Sequence, residues 1–470
     1  MRFDEHFLRG ALSKVSIIAG VTAKFPEDAR FSIDTRTIEK GDIYVALSGA
    51  TYDGHNFLQA AIDKGAVGLI IADDKKGFLA KLNQKALDAV LVIIVPDTLQ
   101  ALLRLATTWR AQFNFPVVAI TGSVGKTSTK EILAAILDFN GNKYIASRGN
   151  QNTQIGLALN MLRMRSSHEM AIFEVGINKR DEMAKLANML RPTTAVITNV
   201  GHCHMEGLGS LGGIAQEKRD LFKYFNEDSI GIINGDIAIL ASVGYIHPVI
   251  KFGAKTTNQI QARKINIGTK TTTFVLKIYK TKHNVTLNTI HEAAVFNSLA
   301  ATALAHQLGV ADEIIIKAIQ QPVIVAGRFE ERPLKNSKGL LINDCYNANP
   351  ESMKAALLAF EKIETSAKKI AVLGDMLELG LNGPFWHRQI GRFLRKVPSL
   401  QQVILVGDRV AWTKKTVPVG LKTEIVPTWK EAAVLLESLY GADTLVLVKG
   451  SRGMELSSLV DAVSDKQPAK

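Results

Sequence analysis

Short, continuous apolar runs recur along this chain, and most of them end in Gly, Asn or Asp. Amphipathic, helix-like stretches separate the runs. This alternation is typical of parallel sheets covered by helices on both faces, which bind ligands at the carboxyl ends of their strands. We therefore predict an α/β fold. The runs after residue 115 are 116–122, 170–177, 193–200, 229–236, 339–346, 369–376, 402–408 and 444–451.

The length of the chain, 470 residues, is enough for two to four domains, and we predict three. Residues 1–97 form a small N-terminal α/β domain that closes after the apolar run "VLVIIVPD". Residues 98–326 form a central parallel-sheet domain of the phosphate-loop ATPase type, whose tail at 264–289 is a meander of strands. Residues 327–470 form a C-terminal, Rossmann-like α/β domain.

Composition narrows the class of protein. The net charge is +13, but Lys and Arg are scattered and accompany no zinc finger or aromatic–basic platform, which favours a solvated basic surface over a nucleic-acid role. No apolar run is long enough to cross a membrane, and the first residues lack the apolar core of a signal peptide. The two cysteines, Cys203 and Cys345, imply no disulfide framework. We expect a cytoplasmic protein.

The segment "VVAITGSVGKTSTKEILAAIL" (117–137) joins an apolar run, a glycine turn and a helical pattern. Two glycines let the backbone turn and present N–H groups to an anion, Lys126 adds a charge for the outer phosphates, and the next hydroxyl can ligate Mg²⁺. The spacing is T-G-x-x-G-K-T, since Ile120 stands where the standard phosphate loop has its first glycine. A chance G-K-T turn is the alternative. The predicted nucleotide contacts are Gly122, Ser123, Gly125, Lys126, Thr127 and Ser128.

That shorter loop resembles the loop of the Mur ligases, ATP-dependent amide-forming enzymes of peptidoglycan synthesis, although folylpolyglutamate synthases share it. "SIDTRTIEKGDIYVALSGATYDGHNF" (32–57) is similar to the UDP-sugar-binding domain of the Mur ligases that add the third residue and the terminal dipeptide. "INDCYNANPESMKAAL" (342–357), "VLGDMLELG" (372–380) and "LVKGSRGM" (447–454) resemble the dipeptide-adding branch alone. The D-N-P-R signature of the third-residue branch is not found. The resemblance extends from about residue 30 to 455.

The resemblance implies a reaction. ATP phosphorylates the terminal carboxylate of UDP-N-acetylmuramoyl-tripeptide, the amine of D-Ala-D-Ala attacks the acyl-phosphate, and a pentapeptide, ADP and phosphate are released. It implies ATP with two Mg²⁺ sites and a carbamylated lysine. The partners are small molecules, with no nucleic acid and no membrane insertion, and the chain acts as a monomer. Whether the tripeptide ends in diaminopimelate or lysine stays open.

The resemblance also assigns residues to phosphate transfer. Glu174 matches a Mg²⁺ ligand, although an acidic residue at a strand end could instead cap a helix. His204 matches a position near the second Mg²⁺, where it contacts the metal or orients its shell, whereas His202 has no matched role. Lys218 matches the lysine that Mur ligases carbamylate with CO₂; a solvated helix lysine is the alternative. The predicted catalytic residues are Lys126, Glu174, His204 and Lys218, and the predicted metal site comprises Thr127, Glu174, His204 and Lys218.

A zinc site built on His202, Cys203 and His204 is disfavoured, because adjacent strand residues point to opposite faces and no fourth ligand is evident.

Substrate contacts are implied in the same way. Asn297 would contact adenine, Arg328 the phosphates and Asp344 the ribose, while His291 stands two residues early for the family pattern and stays open. For UDP the residues are Ser32, Asp34, Thr35 and Arg36, with a local Asp34–Arg36 ion pair as the alternative. For the muramoyl-peptide they are Asn150, Asn152 and Thr153, with a polar turn as the alternative. For the dipeptide they are Tyr346, Asn347, Asn349, Lys449, Ser451 and Arg452.

Other functions remain open at this point. The chain could be the third-residue Mur ligase or a folylpolyglutamate-synthase-type ligase, but the C-terminal motifs argue against both. A non-catalytic nucleotide sensor would be expected to lose Lys126, Glu174 or Lys218, all of which are present. A nucleic-acid-binding ATPase is suggested by charge alone. We also predict hinges near residues 97 and 326, where the C-terminal domain would close over ATP.

Overall fold

The computed structural model describes residues 3–12, 14–20, 23–24, 30–49, 51–441 and 443–465. The chain forms two compact units, which are described separately here. The first unit comprises Met1–Ala119, Lys143–Gly176 and Lys185–Thr193, and the second comprises Ile120–Asn142, Ile177–Ala184 and Thr194–Lys470. The described strands form three sheets of five, nine and six strands. Across the described residues, no helix has both the length and the apolar character needed to cross a membrane.

The five-stranded sheet lies in the first unit and has the order β1-β5-β4-β3-β2. Its pairs are parallel except β1 with β5. Every residue of β4 and β5 is buried, because both strands are apolar on both faces. The strands are β1 (Ser16–Ala19), β2 (Arg30–Ser32), β3 (Asp42–Val45), β4 (Gly68–Ala72) and β5 (Leu91–Val95). The helices are α1 (Glu5–Ala11), α2 (Leu58–Asp63), α3 (Gln84–Leu87) and α4 (Thr98–Arg110).

The nine-stranded sheet contains β6 to β14. In the first unit, β7 pairs with β8 in parallel. In the second unit, β9 to β12 pair in parallel, whereas β12, β13 and β14 form an antiparallel meander. The strands are β6 (Val117–Thr121), β7 (Tyr144–Ala146), β8 (Met170–Glu174), β9 (Thr194–Ile197), β10 (Ile230–Asn234), β11 (Val249–Gly253), β12 (Ile260–Ile267), β13 (Thr272–Ile278) and β14 (Thr281–Leu287).

The helices of this middle region include α5, which packs against α11 in the second unit. The helix α5 carries its buried residues on one face, as its apolar spacing predicts. The helices are α5 (Lys126–Asn140), α6 (Gln154–Met161), α7 (Met183–Leu190), α8 (Met205–Leu208), α9 (Leu211–Arg219), α10 (Ala238–Ala241), α11 (Glu292–Gln307) and α12 (Asp312–Ile319).

The six-stranded sheet lies in the second unit and has the order β15-β16-β20-β17-β18-β19. All its pairs are parallel except β15 with β16, and a separate apolar core covers each face. The strands are β15 (Glu330–Pro333), β16 (Leu340–Asn343), β17 (Lys368–Gly374), β18 (Leu400–Val406), β19 (Lys422–Val426) and β20 (Thr444–Lys449). The helices are α13 (Pro350–Lys362), α14 (Gly383–Phe393), α15 (Ala411–Lys414), α16 (Trp429–Leu439) and α17 (Leu456–Val463).

The predicted α/β fold is confirmed. Each predicted apolar run overlaps a strand, namely β6, β8, β9, β10, β16, β17, β18 and β20, and the predicted meander corresponds to β12 to β14. The strands end before the runs do, because the last residues of each run turn into the loops that carry polar side chains. Short 3₁₀ helices lie at Thr35–Thr37, Gly54–Phe57, Asp73–Lys81, Asp220–Phe222, Gly380–Asn382, Leu394–Lys396 and Arg452–Met454. The domain boundaries and hinges at 97 and 326 stay predictions.

Candidate active site

The phosphate loop follows β6 and is fixed in place by the segment after β9. The Ser123 backbone N–H donates to the Asn199 carbonyl at 2.9 Å, and the Ser123 hydroxyl donates to the Gly201 carbonyl at 3.0 Å. The Thr198 hydroxyl donates to the Val124 carbonyl at 2.6 Å. These bonds hold the loop backbone in one conformation before any nucleotide binds.

Two observations indicate that this loop is suited to binding a phosphate group. Gly125 has φ +87° and a Cβ there would collide with Asn297 Oδ1, so only glycine is accommodated without strain. Helix α5 starts at Lys126, and among the described residues no side chain caps its first turn. Its first N–H groups and the positive end of its dipole therefore suit an anion. The Lys126 ammonium donates to the Gly122 carbonyl at 2.8 Å, which holds it over the same loop.

Lys218 is buried on α9, so the alternative of a solvated lysine is wrong. Only 2% of the residue is exposed. Burial lowers the pKa of Lys218 from 10.5 to about 8; the nearby charge of Lys126 acts in the same direction, while Cys203 and Glu217 oppose it. The neutral amine, which is the form that reacts with an electrophile such as CO₂, is therefore more populated near physiological pH than it is for an exposed lysine.

The segment after β9 that contains His202 and His204, here called the histidine segment, contacts carboxylates of the C-terminal region within the second unit. His202 Nδ1 lies 2.5 Å from Glu351 Oε1, and its ring lies 4.5 Å from that of Trp386. His204 adopts φ +51°, and its Nδ1 lies 2.6 Å from Glu378 Oε2. The pKa of Glu378 is lowered, chiefly by this contact with His204. The two histidines thus serve separate carboxylates.

This arrangement does not resemble a zinc site. Within the described ranges, no group of three or more His, Cys, Asp and Glu residues is placed to hold a metal ion. Sequence reasoning missed the roles of Glu351 and Glu378, although both lie inside motifs that carry the resemblance; the only signal was a carboxylate in each motif with no assigned partner.

Asp344 and Lys449 form a buried pair at the carboxyl ends of β16 and β20. Lys449 Nζ lies 2.6 Å from Asp344 Oδ2 and also donates to the carbonyls of Asp344 and Asn347, at 3.3 and 3.2 Å. The Phe329 backbone N–H donates to the other Asp344 oxygen at 3.2 Å. Because Lys449 is 1% exposed, its ammonium secures the loop after β16 and fixes the orientation of the Asp344 carboxylate.

Arg328 lies beside this pair, with its guanidinium 4.1 Å from the centre of the Tyr346 ring. Its Nε is buried and has no hydrogen-bond partner among the described residues, so it can donate to an added anion. The His291 ring lies 5.0 Å from the Phe329 ring. Burial lowers the pKa of His291; of the nearby charges, Asp344 raises this pKa and Lys449 lowers it. His291, which stands two residues early for the family pattern, thus lies near the predicted ATP-binding residues Arg328 and Asp344.

The predicted dipeptide contacts divide into structural and exposed residues. Asn349 caps α13 by accepting from the Ser352 backbone N–H at 2.8 Å, and it is buried. The Ser451 hydroxyl accepts from Leu377 N–H at 2.9 Å and is 3% exposed. Together with Lys449, these side chains are engaged inside the fold. Arg452 is exposed and Tyr346 and Asn347 are at least partly so, which leaves them better suited to contact a ligand.

In the first unit, Glu174 is the last residue of β8 and is 1% exposed. Its Oε1 accepts from the Asn152 side-chain amide at 2.8 Å, and its backbone N–H donates to the Ser147 hydroxyl at 3.0 Å. The structure thus brings together two residues from separate predicted groups. Asn150 and Thr153 lie in the same turn, with Thr153 immediately before α6.

The predicted UDP turn is also in the first unit and follows β2. Arg36 Nη2 lies 2.7 Å from Asp34 Oδ2, and this contact lowers the pKa of Asp34. Ser32 donates its hydroxyl to the Asp34 carbonyl at 3.1 Å, and Thr35 begins the 3₁₀ turn that Asp34 caps. The local ion pair anticipated as an alternative is therefore present, and a nucleotide contact by these residues stays a prediction.

Three family descriptions match the chain in consecutive order. "Mur ligase family, catalytic domain" matches residues 30–110, "Mur ligase middle domain" matches 120–305, and "Mur ligase, glutamate ligase domain" matches 327–452. The first matched region contains the predicted UDP turn, the second contains the phosphate loop with His202 and His204, and the third contains the buried Asp344–Lys449 pair.

Curated proteins match over nearly their whole length. The UDP-N-acetylmuramoyl-tripeptide--D-alanyl-D-alanine ligase of Bacillus subtilis is 32% identical over 433 residues, which cover 91% of this chain and 91% of that protein. The protein of the same name from Escherichia coli is 32% identical over 441 residues, covering 92% of this chain and 93% of that protein.

Solved structures agree. A structure of MurF from Acinetobacter baumannii gives a TM-score of 0.82 at 27% identity and covers 98% of each chain. The MurF ligase of Thermotoga maritima in complex with ADP gives a TM-score of 0.76 at 25% identity, covering 93% of this chain and 97% of that one. From its motifs, its fold and these full-length matches, the chain belongs to the Mur ligase family.

Proposed function

We propose that this Mur ligase joins D-alanyl-D-alanine to the terminal carboxylate of UDP-N-acetylmuramoyl-tripeptide at the expense of ATP, giving a UDP-muramoyl-pentapeptide, ADP and phosphate for peptidoglycan synthesis. The observation that carries the proposal is the name shared by relatives that match more than nine-tenths of the chain. The site agrees with it, since a phosphate loop, a buried lysine and buried C-terminal polar groups lie in one compact unit.

The chemistry requires an activated carboxylate, because a carboxylate is a poor electrophile at neutral pH. The γ-phosphate of ATP transfers to a carboxylate oxygen and ADP leaves; the dipeptide amine then attacks the acyl carbon, and phosphate leaves with the electron pair of the broken C–O bond. Transfer joins two anions, so cations must offset their repulsion. Lys126 and the uncapped start of α5 are suited to the outer phosphates, and the unpaired Arg328 Nε to a further phosphate oxygen.

Magnesium would supply further charge neutralisation at the phosphates. Thr127, Glu174, His204 and a carbamate on Lys218 are the proposed holders, and Asn152 orients the Glu174 carboxylate through its 2.8 Å bond. The lowered pKa of Lys218 supports carbamylation: the neutral amine adds to CO₂, and the resulting carbamic acid loses a proton to become an anion. Burial then protects the carbamate from solvent.

The remaining assignments concern the substrates. We propose that the Asp344 carboxylate accepts hydrogen bonds from the ribose hydroxyls of ATP. We also propose that Asn297 contacts adenine and that the turn at 32–36 contacts UDP. We further propose a monomer that works in the cytoplasm on small-molecule substrates. The N-terminal, ATP-binding and C-terminal domains would divide near residues 97 and 326, where closure would exclude water from the acyl-phosphate.

The test is phosphate release from ATP in the presence of UDP-N-acetylmuramoyl-tripeptide, with and without D-Ala-D-Ala. Release that needs both substrates, with a pentapeptide product by mass spectrometry, is the expected result. Release driven by a single free amino acid would instead assign the chain to another amide-ligase branch. A chain that releases no phosphate with any of these substrates would contradict the proposal. Tripeptides that end in diaminopimelate and in lysine, compared by kcat/KM, would identify the third residue.

A further inference from the structure

The loop between α15 and β19 has an unusual composition. Its sequence, "KKTVPVGLK" (414–422), places four aliphatic or proline side chains between lysines. Val419, at its apex, is 105% exposed, so its side chain contacts almost nothing else in the fold. Lys414, Lys415 and Lys422 are exposed as well. A fully exposed apolar apex flanked by cations has no evident role in stabilising the domain.

A second basic segment packs beside this loop. Residues 388–401, from the second half of α14 to the start of β18, contain four Lys or Arg residues and no Asp or Glu. The Thr416 hydroxyl donates to the Arg388 carbonyl at 2.7 Å, which ties the two segments together. The Arg388 guanidinium and the Lys415 ammonium both lie over the Trp412 ring, at 5.1 and 4.0 Å from its centre. Seven Lys or Arg residues and no Asp or Glu thus lie in these two segments, and we name residues 388–401 with 410–422 the basic edge.

A groove of about 910 Å³ runs between the two parts of the basic edge. Thirteen described residues line it, and none of them is Asp or Glu. Three are cations, namely Lys368, Arg395 and Lys422, and Val419 and Pro418 form part of one wall. An anionic group of a ligand would therefore find positive charge in the groove, while an apolar part would find the aliphatic apex beside it.

The position of the groove separates it from the candidate active site. It lies where β17, β18 and β19 begin, because Lys368, Leu400 and Lys422 are the first residues of those strands. The strands are parallel, so Asp344 and Lys449 lie at the opposite, carboxyl-end edge of the same sheet. A seven-residue strand is roughly 23 Å long. A surface bound at the basic edge would thus leave the nucleotide side of this sheet open.

We propose that the basic edge docks the protein on an anionic lipid surface, with phosphate headgroups in the groove and the apex at Val419 inserted among the acyl chains. Charge complementarity selects an anionic partner, and the apex selects a lipid over a nucleic acid. Nucleic-acid sites offer aromatic faces for stacking, whereas this apex is aliphatic and the Trp412 ring is already covered by two cations. Peripheral docking of this kind combines apolar burial with Lys and Arg near negative headgroups.

The test is flotation of the full chain with vesicles of phosphatidylglycerol and phosphatidylcholine in equal parts, against vesicles of phosphatidylcholine alone. We expect at least about tenfold more binding to the anionic vesicles at low salt. The double variant Lys414→Glu/Lys415→Glu should lower that binding about tenfold or more, and Val419→Asp should lower it several-fold. Phosphate release and thermal unfolding of each variant should match those of the unmodified chain, since the substitutions lie on exposed residues.

Matched controls separate a specific surface from net charge. Lys280→Glu/Lys282→Glu changes the net charge equally at two exposed residues, one in the β13–β14 turn and one in β14, and Ile246→Asp replaces another apolar side chain that is 107% exposed. Both should bind anionic vesicles as the unmodified chain does. Equal losses in the controls, equal binding to both vesicle types, or binding of an RNA oligonucleotide that depends on Lys414 and Lys415 without any vesicle binding would each overturn the proposal. None of these outcomes bears on the ligase reaction.

Discussion

Two regions of the second unit gather cations, and they do so in opposite ways. At the candidate active site, Lys218 and Lys449 are almost fully buried, and each is placed by a helix or strand that the sheet holds. At the basic edge, Lys414, Lys415 and Lys422 are exposed and are held by a loop. The buried arrangement costs desolvation free energy but fixes the position of each charge. The exposed arrangement costs little free energy and leaves the charges accessible to a partner.

The difference matters because burial changes what a charge can do. A buried ammonium interacts strongly with few partners, and its proton is easily lost, as at Lys218. Exposed ammonium groups, in contrast, are screened by salt within about 10 Å at 0.1 M. One region is therefore suited to positioning a single substrate, and the other to attraction of an extended, charged surface.

The largest expected effect is at the phosphate loop. Lys126→Ala should lower kcat/KM for ligation 10³-fold or more, on the order of 4 kcal/mol, because it removes a charge used during phosphoryl transfer. Coupled assay of phosphate release measures this. Lys143→Ala, at an exposed position of the first unit, should leave the rate unchanged. Full turnover by the Lys126 variant would refute the proposed nucleotide site.

The next effect is at the buried pair. Lys449→Met leaves the Asp344 carboxylate without its 2.6 Å partner, and we expect a loss of about 3 kcal/mol in the free energy of unfolding. Urea denaturation measures the loss. The double variant Lys449→Met/Asp344→Asn should lose less, because no charge remains buried. As a control, Lys338→Met at an exposed lysine should change stability by no more than about 0.5 kcal/mol. Equal stability of Lys449→Met and the unmodified chain would contradict the pairing.

An effect of similar size should appear in the pH dependence of the free energy of unfolding, through the titration of Lys218. Its pKa is about 8 in the folded chain and 10.5 in the unfolded one, so below pH 8 the folded state bears the full penalty of a buried charge. Between these values the folded state loses the proton first, and stability should rise by about 3 kcal/mol relative to Lys218→Met. Urea denaturation at pH 7 and 10 in CO₂-free buffer measures the difference between the two proteins. A relative loss of stability over that range would show that the buried group titrates otherwise.

The smallest effect compares the two regions directly. Raising NaCl from about 50 to 300 mM should reduce binding to anionic vesicles more than about tenfold but change the KM for ATP less than about threefold, because buried charges are screened less than exposed ones. Parallel flotation and steady-state kinetics on one preparation measure both. Equal salt dependence of the two quantities would remove the distinction between the regions.

Much of the fold was predictable because its central strands are continuous apolar runs, which have few other stable locations than a covered sheet. The edge strands β15, "EERP", and β19, "KTEIV", were not predicted, since they are polar and largely exposed and carry no such signal. The same reasoning could have placed Lys449 correctly: it ends the run "TLVLVK", and a strand buried along its whole length buries its last side chain too.

The candidate site was predictable where its residues share a local motif, as in the phosphate loop. It was not predictable where partners are distant in sequence. His202 and Glu351 are 149 positions apart, and nothing near either residue indicates the other. Burial of Lys218 was equally hidden, because α9 is short and mixes polar and apolar residues, so that its neighbours in the fold decide which face is covered.

The long separation between the histidine segment and its carboxylates has a consequence during synthesis. A ribosome adds about 5–20 residues per second, so about 7 to 30 s would pass between the synthesis of His202 and that of Glu351, 149 positions later. Lys449 is likewise made well after its partner, since it follows Asp344 by 105 positions. The phosphate loop therefore exists well before the groups that complete the site around it. The C-terminal residues Glu351, Glu378 and Lys449 are thus made only after the predicted catalytic residues Lys126, Glu174, His204 and Lys218.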